Sequence, residues 1–239
     1  MIRDYNDFVK ALLNAGFSTG GGNDEGTYAV IPWTWGSLPP YSTPVCWHTG
    51  DPDTDPWEWR IRVLDQRDDI AYGKLFFKKS GYITKDWYPY FLAARREGMD
   101  FDDFYTDGHI SHAAKRIYEV VSANEILPVH SIKQLAGFTR EDKSAFDRAL
   151  VELQMKMFLT ICGRQHRLSR KSQESGLVPS NTGWASTVLC TTEQFFGDDV
   201  FEKAANINSK EAAALIKEQI LKLNPSASEK KITKFIYGN

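Results

Sequence analysis

An α+β fold, mainly helical, is what this sequence predicts, and three observations predict it. Apolar residues recur at spacings of three and four in several separate stretches, as one face of a helix requires. One of these stretches runs without a break into "FLTICGRQHRLS" at 158–169, which alternates like a strand, and "GWASTVLCTT" at 183–192 reads as its returning partner. No apolar run reaches the roughly 20 residues of a membrane span, whereas 239 residues, 42 % of them apolar, suffice for a sizeable core.

The elements follow in order. Tyr5, Phe8, Val9, Leu12 and Leu13 share one helical stripe that Gly16 ends. "STGGGNDEG" at 18–26 has the look of a phosphate loop, but no strand leads into it and the Gly-Lys-Ser/Thr ending is absent, so a plain loop is expected. "TYAVIPWTWGSLPP" at 27–40 begins as a short β-rich run and is stopped by its prolines. Pro56 suits the first turn of a helix that sets Trp57, Ile61 and Leu64 on one face. "AYGKLFFKKSGYIT" at 71–84 reads as a strand or hairpin, and "KDWYPYFLAARR" at 85–96 as a helix starting near Pro89. "EGMDFDDFYTDG" at 97–108 is acidic and bracketed by Gly98 and Gly108, which predicts a subdomain boundary.

Residues 110–191 form one consistent series. Ile110, Ala113, Ile117, Val120 and Val121 make a helical stripe, "LPVH" an extended link, and "SIKQLAG" a brief helix closed by Gly137. Thr139 with Asp142 resembles a capping box, and Phe146, Ala149, Leu150, Leu153 and Met157 continue a third helix. Three helices followed by a two-stranded ribbon is the winged-helix layout. The predicted division is an N-terminal α+β subdomain at 1–107, a winged-helix domain at 108–198 and a C-terminal helical extension at 199–239. In that extension Asn208 and Glu211 cap a helix whose Ala212, Leu215, Ile216, Ile220 and Leu223 share a face, for packing on its own chain or for a dimer.

Charge narrows the partner. The 29 basic and 31 acidic residues give a net charge of -2, so a polyanion must be met by a local patch. No acid lies between Leu153 and Gln173, while Lys156, Arg164, Arg167, Arg170 and Lys171 stand there with His166. DNA contacts are therefore expected from Arg164, His166, Arg167, Arg170 and Lys171 on the ribbon and from Lys143 and Arg148 on the third helix, where Asp147 and Glu152 oppose them. Five cations on phosphates imply a salt slope of about -4.5.

The densest chemistry is "CWHTGDPDTDPWEWR" at 46–60. As a calcium loop it fails, because Pro56 stands where glycine is needed and Arg62 where a bidentate glutamate is needed. One histidine among carboxylates also lacks a second His or Cys at ligand spacing, so neither a metal nor a cofactor is expected. Trp33, Trp35, Trp47, His48, Trp57, Trp59 and Arg60 could line a base-stacking pocket, since every base offers a π-face; packing of the same aromatics in the core is the alternative. Cys46, Cys162 and Cys190 read as reduced core thiols.

"SGYITKDWYPYFLAARR" at 80–96 and "ALVELQMKMFLTICGR" at 149–164 resemble the AlkZ/YcaQ family of bacterial DNA glycosylases, over most of residues 25–200. The resemblance implies winged-helix units, DNA as the partner, and removal of damaged bases or unhooking of interstrand crosslinks. It also implies a Gln-x-Gln or Gln-x-Asp motif that positions the attacking water. Counted back from Ser80 that motif falls in "IPWTWG", where Trp33 and Trp35 stand, and indole cannot act as a base. Gln66 and Asp68 do form a Gln-x-Asp, but too close to Ser80. Any glycosylase activity would then need a carboxylate from Asp51, Asp53 or Asp55.

The expectation is a cytoplasmic winged-helix protein that binds DNA and recognises an altered or extruded base, without a membrane segment and with monomer and dimer both open. An active base-excision glycosylase and a protein-interaction module are the alternatives.

Overall fold

The structure, a computed structural model, describes residues 1–165 and 186–238; His166, Arg167, Arg170, Lys171 and the loop expected at 172–183 lie outside the described residues. Helix α1 (Tyr5–Ala15) starts where the Asp4 carboxylate accepts the Asp7 amide at 2.8 Å. It stops at Gly16, whose φ of +88° and contact with the Trp87 indole leave no room for a side chain.

Six strands then form one sheet: β1 (Phe17–Thr19), β2 (Ile70–Phe76), β3 (Lys79–Thr84), β4 (Leu127–Pro128), β5 (Leu159–Gln165) and β6 (Ser186–Thr191). Their order is β1-β3-β2-β5-β6-β4, with every neighbouring pair antiparallel. The architecture is α+β, as expected, but the ribbon of β5 and β6 is not a detached two-stranded one. Tyr72 of β2 pairs with Ile161 of β5, and Leu127 of β4 pairs with Leu189 of β6, so the sheet runs through the boundary expected near residue 107.

Helix α2 (Pro56–Gln66) has Pro56 in its first turn, as expected. Its buried face, however, carries Trp59 and Val63, and Trp57 is turned outward at 44 % exposure. Phe77 and Lys78 both have positive φ, 52° and 60°, which closes the β2–β3 hairpin in the handedness that two-residue turns favour. The run at 28–35 forms no strand: Val30 gives its amide to the Ser18 hydroxyl (2.9 Å) rather than to a ladder. The acidic stretch expected to be a boundary contains a helix, α4 (Phe101–Thr106), after α3 (Tyr88–Arg96). An Asp100–Asp103 capping box starts it and Phe101 and Phe104 are buried by it, so the acids serve the cap while the aromatics serve the core.

Helices α5 (His112–Ser122), α6 (Val129–Leu135) and α7 (Lys143–Met155) follow where the periodicity predicts them. The capping pair closes the turn before α7, Thr139 Oγ1 donating to Asp142 Oδ2 at 2.7 Å. The abrupt passage from α7 to β5 is made by Met157, at φ 64°, and is clamped by two arginines of α3. Arg95 donates to the carbonyls of Met155 (2.8 Å), Phe235 (2.9 Å) and Ile236 (2.7 Å), which end α7 and the last helix. Arg96 donates to the Met157 carbonyl and to Glu193 (3.1 Å) and lies 3.9 Å over the Phe158 ring. Removing water from Arg95 pushes its guanidinium down to about 9.

The chain ends in α8 (Thr192–Phe196), α9 (Asp198–Ala205), α10 (Ser209–Leu223) and α11 (Glu229–Tyr237). Asn208 caps α10, whose Ala212, Ile216 and Ile220 pack into the same core as α3, so its apolar face is spent on this chain. A second core lies among α4–α7 and β5–β6, and a third, with α1, α2, Trp33 and Val45, against β2 and β3. All three cysteines are free, and Cys190 is buried as expected, while Cys162 is only half-buried. Cys46 is exposed, while the Cys162 and Cys190 thiols hydrogen-bond across the ribbon, which lowers Cys162 and, with burial, raises Cys190. No described helix is long and apolar enough to cross a membrane.

Candidate functional site

The site is built by Asp55. Fully buried as the N-cap of α2, its carboxylate accepts the amides of Trp57 (2.8 Å), His48 (3.0 Å) and Gly50 (2.9 Å). These bonds fold residues 47–55 into a loop in which His48 takes φ 63° and its ring comes 5.0 Å from that of Trp57. Opposite, Thr34 and Ser37 close a tight turn (Ser37 amide to Thr34 carbonyl, 3.1 Å) that holds Trp35 out at 77 % exposure. The triple glycine supplies the third wall: a Cβ on Gly21 would overlap the Trp47 indole, and its φ of +148° also favours glycine. Trp35, Trp47, His48 and Trp57 meet Gly20 and Gly21 around a cleft of about 190 Å³.

Cations flank the aromatics. The Arg60 guanidinium lies 3.6 Å above the Trp57 ring and donates to the Trp57 carbonyl at 2.8 Å. Lys74 of β2 donates from Nζ to Ser80 Oγ at 3.2 Å, and Ser80 in turn holds the Gly20 amide with its carbonyl at 2.8 Å. Burial first, and the charge of Arg60 second, push the Lys74 amine below its ordinary range.

Not every residue expected in the pocket is there. Trp33 and Trp59 are 4 % and 0 % exposed and belong to the core, Trp33 against Tyr41 and Trp59 against Phe8. The three carboxylates expected as water activators are occupied elsewhere. Asp55 caps, Asp51 accepts the Asp53 amide (2.9 Å) and the Thr54 hydroxyl (2.7 Å), and Asp53 pairs with Arg62 at 2.9 Å. Gln66 ends α2 and lines a separate cleft with Tyr5 and Lys10, and thus stands outside the tryptophan cleft. Among the described residues no group of three or more His, Cys, Asp or Glu side chains could hold a metal ion.

The basic patch is only partly described. Lys143 is paired with Asp147 at 2.8 Å, both exposed, so its charge is already answered. Arg148 and Arg164 are exposed, and neither has an ion pair among the described residues. Lys156 is half-buried with its ammonium 5.2 Å from the Phe104 ring centroid. Glu152, expected to repel phosphates, accepts the amide (3.0 Å) and hydroxyl (2.7 Å) of Ser111 and so holds the residue that caps α5. Sequence reasoning missed Gly20, Gly21 and Lys74. Lys74 did leave a signal, as the lone charge in "IAYGKLF".

These features define an α+β protein with an aromatic surface cleft between cations. A family model described as "AlkZ related" matches residues 2–237, and the chain belongs to that family. No curated protein matches it, and no solved structure does.

Proposed function

We propose that this AlkZ-related protein binds DNA and holds an altered or extruded base in the cleft of Trp35, Trp47, His48 and Trp57. One observation carries the reading: four rings, distant in sequence in two groups, converge on one cleft with Arg60 stacked on its Trp57 wall. Stacking suits any base and contributes about 1–3 kcal/mol for each. A cleft of about 190 Å³ is below the roughly 300–1,000 Å³ of drug-sized sites, in keeping with a single flat ring. Arg60 and Lys74 supply charge for the adjoining phosphates.

The order α5-β4-α6-α7-β5-β6, with β4 beside β6 and β6 beside β5, supports a winged-helix unit at 108–198 as the duplex-holding part. Arg148 and Arg164 are two exposed cations there without an ion pair among the described residues; Lys143 contributes less because Asp147 competes for it. Residues 1–107 then carry the base cleft, and 199–239 brace α3. Among the described residues no carboxylate or carboxamide side chain lines the cleft, which favours recognition over water-driven base removal.

Tryptophan fluorescence during titration with oligonucleotides, with and without an alkylated base, at two salt concentrations tests this. Quenching that weakens with salt and is reduced by Trp57→Ala is expected. No binding at low salt, or binding indifferent to salt, defeats the reading. Abasic sites accumulating in alkylated DNA would replace recognition by catalysis.

A further inference from the structure

A second cleft, of about 570 Å³ against about 190 Å³ for the tryptophan cleft, opens along α7 where the β2–β3 turn and the end of α11 meet it. The two clefts share no lining residue. Its floor is apolar. Val151 and Met155 stand one turn apart on α7. Gly238 adds bare backbone beside them: its φ is +70°, and a Cβ there would come 2.9 Å from the Met155 carbonyl oxygen. The turn is fixed against this floor by the Lys78 amide, which donates to Met155 Sδ at 3.3 Å.

Charge decides what such a cleft takes. Three cations and two acids line it, so the lining carries one positive charge in excess. Both acids are occupied: Asp147 pairs with Lys143 at 2.8 Å, and Glu152 accepts the Ser111 amide at 3.0 Å and its hydroxyl at 2.7 Å. Lys78, Arg148 and Lys156 have no ion pair among the described residues. Lys156 is half-buried, its ammonium 5.2 Å from the Phe104 ring centroid. Cations above an apolar floor attract a ligand with an anionic end and an apolar body, and a single negative charge balances the excess. The volume falls within the roughly 300–1,000 Å³ of small-molecule sites.

We infer that this cleft binds a small amphiphilic carboxylate of the fatty-acid type. The carboxylate meets Lys78 and Lys156, and the hydrocarbon chain covers Val151 and Met155. Arg148 stands exposed at the rim and is not needed for the contact. A phosphate monoester, close to a dianion at neutral pH, overbalances the lining.

The test titrates the full chain by calorimetry with decanoate, decanol and decyltrimethylammonium, three probes with one apolar body and different ends, each below its micelle-forming concentration. Decanoate should bind at one site per chain and at least about tenfold more tightly than decanol, a gap of about 1.4 kcal/mol, with the ammonium probe weakest. Lys78→Gln combined with Lys156→Gln should bring acid and alcohol to equal affinity. Val151→Trp should fill the cleft and abolish binding, with circular dichroism reporting that the variant is folded. The order of the three probes on the unaltered chain decides the matter even if a variant folds poorly. No saturable binding, equal affinity for acid and alcohol, or decanoate binding that survives Val151→Trp in a folded chain overturns the inference. None of these outcomes bears on the tryptophan cleft.

Discussion

Replacing Arg95 with methionine removes three donors at once. The side chain is 9 % exposed and its bonds to the Met155, Phe235 and Ile236 carbonyls run from 2.7 to 2.9 Å. Hydrogen bonds from a charged group contribute about 1.5–3 kcal/mol each, so three bonds suggest about 4.5–9 kcal/mol. Part of this is offset, because the guanidinium no longer has to be stripped of water. The net loss should be about 3–5 kcal/mol, as for other broken networks around a buried charge. In a chain of this size each kcal/mol lowers Tm by about 2–4 °C, which gives a fall of about 6–20 °C in a thermal melt followed by circular dichroism. Arg95→Lys, with one ammonium for three carbonyls, should fall between. A methionine variant melting within about 3 °C of the parent would refute the claim that this arginine ties the ends of α7 and α11 together.

Gly21→Ala should drive a methyl into the Trp47 indole, cost about 1–3 kcal/mol and abolish oligonucleotide quenching, as fluorescence titration would show. Asp55→Ala should cost about 1–2 kcal/mol through the lost helix cap and more through the freed amides of His48 and Gly50, and weaken oligonucleotide quenching in the same titration. Glu25 accepts from Lys231 and Lys79, both at 2.7 Å, which holds its carboxyl below the usual range. A depressed acid stabilises the fold above its unfolded value of about 4.3 and loses that contribution as pH falls through the folded value. Melts should therefore separate the parent from Glu25→Gln at neutral pH and converge in acid.

The helices at 5–15, 112–122, 143–155 and 209–223 were legible because each buries one stripe, and a stripe is written in the spacing of residues along a single element. Signals with two meanings were harder. The acids at 100–107 suggested a solvated boundary, yet Asp100 and Asp103 cap a helix that buries Phe101 and Phe104. Trp57 and Trp59 look alike in sequence, and only the angle at which α2 meets the sheet sends one outward and the other into the core.

Family membership, α+β composition, most helix positions and the clustering of aromatic residues around 46–60 were thus determined by the sequence alone, since these depend on order and local spacing. The tertiary structure decided that Gly21 seats Trp47, that Asp51 and Asp55 hold the loop while Asp53 pairs with Arg62, and that the Lys74 amine rests on Ser80. Those juxtapositions join residues that lie apart in the sequence. They arise when strands pair and cores close, and no local pattern encodes them.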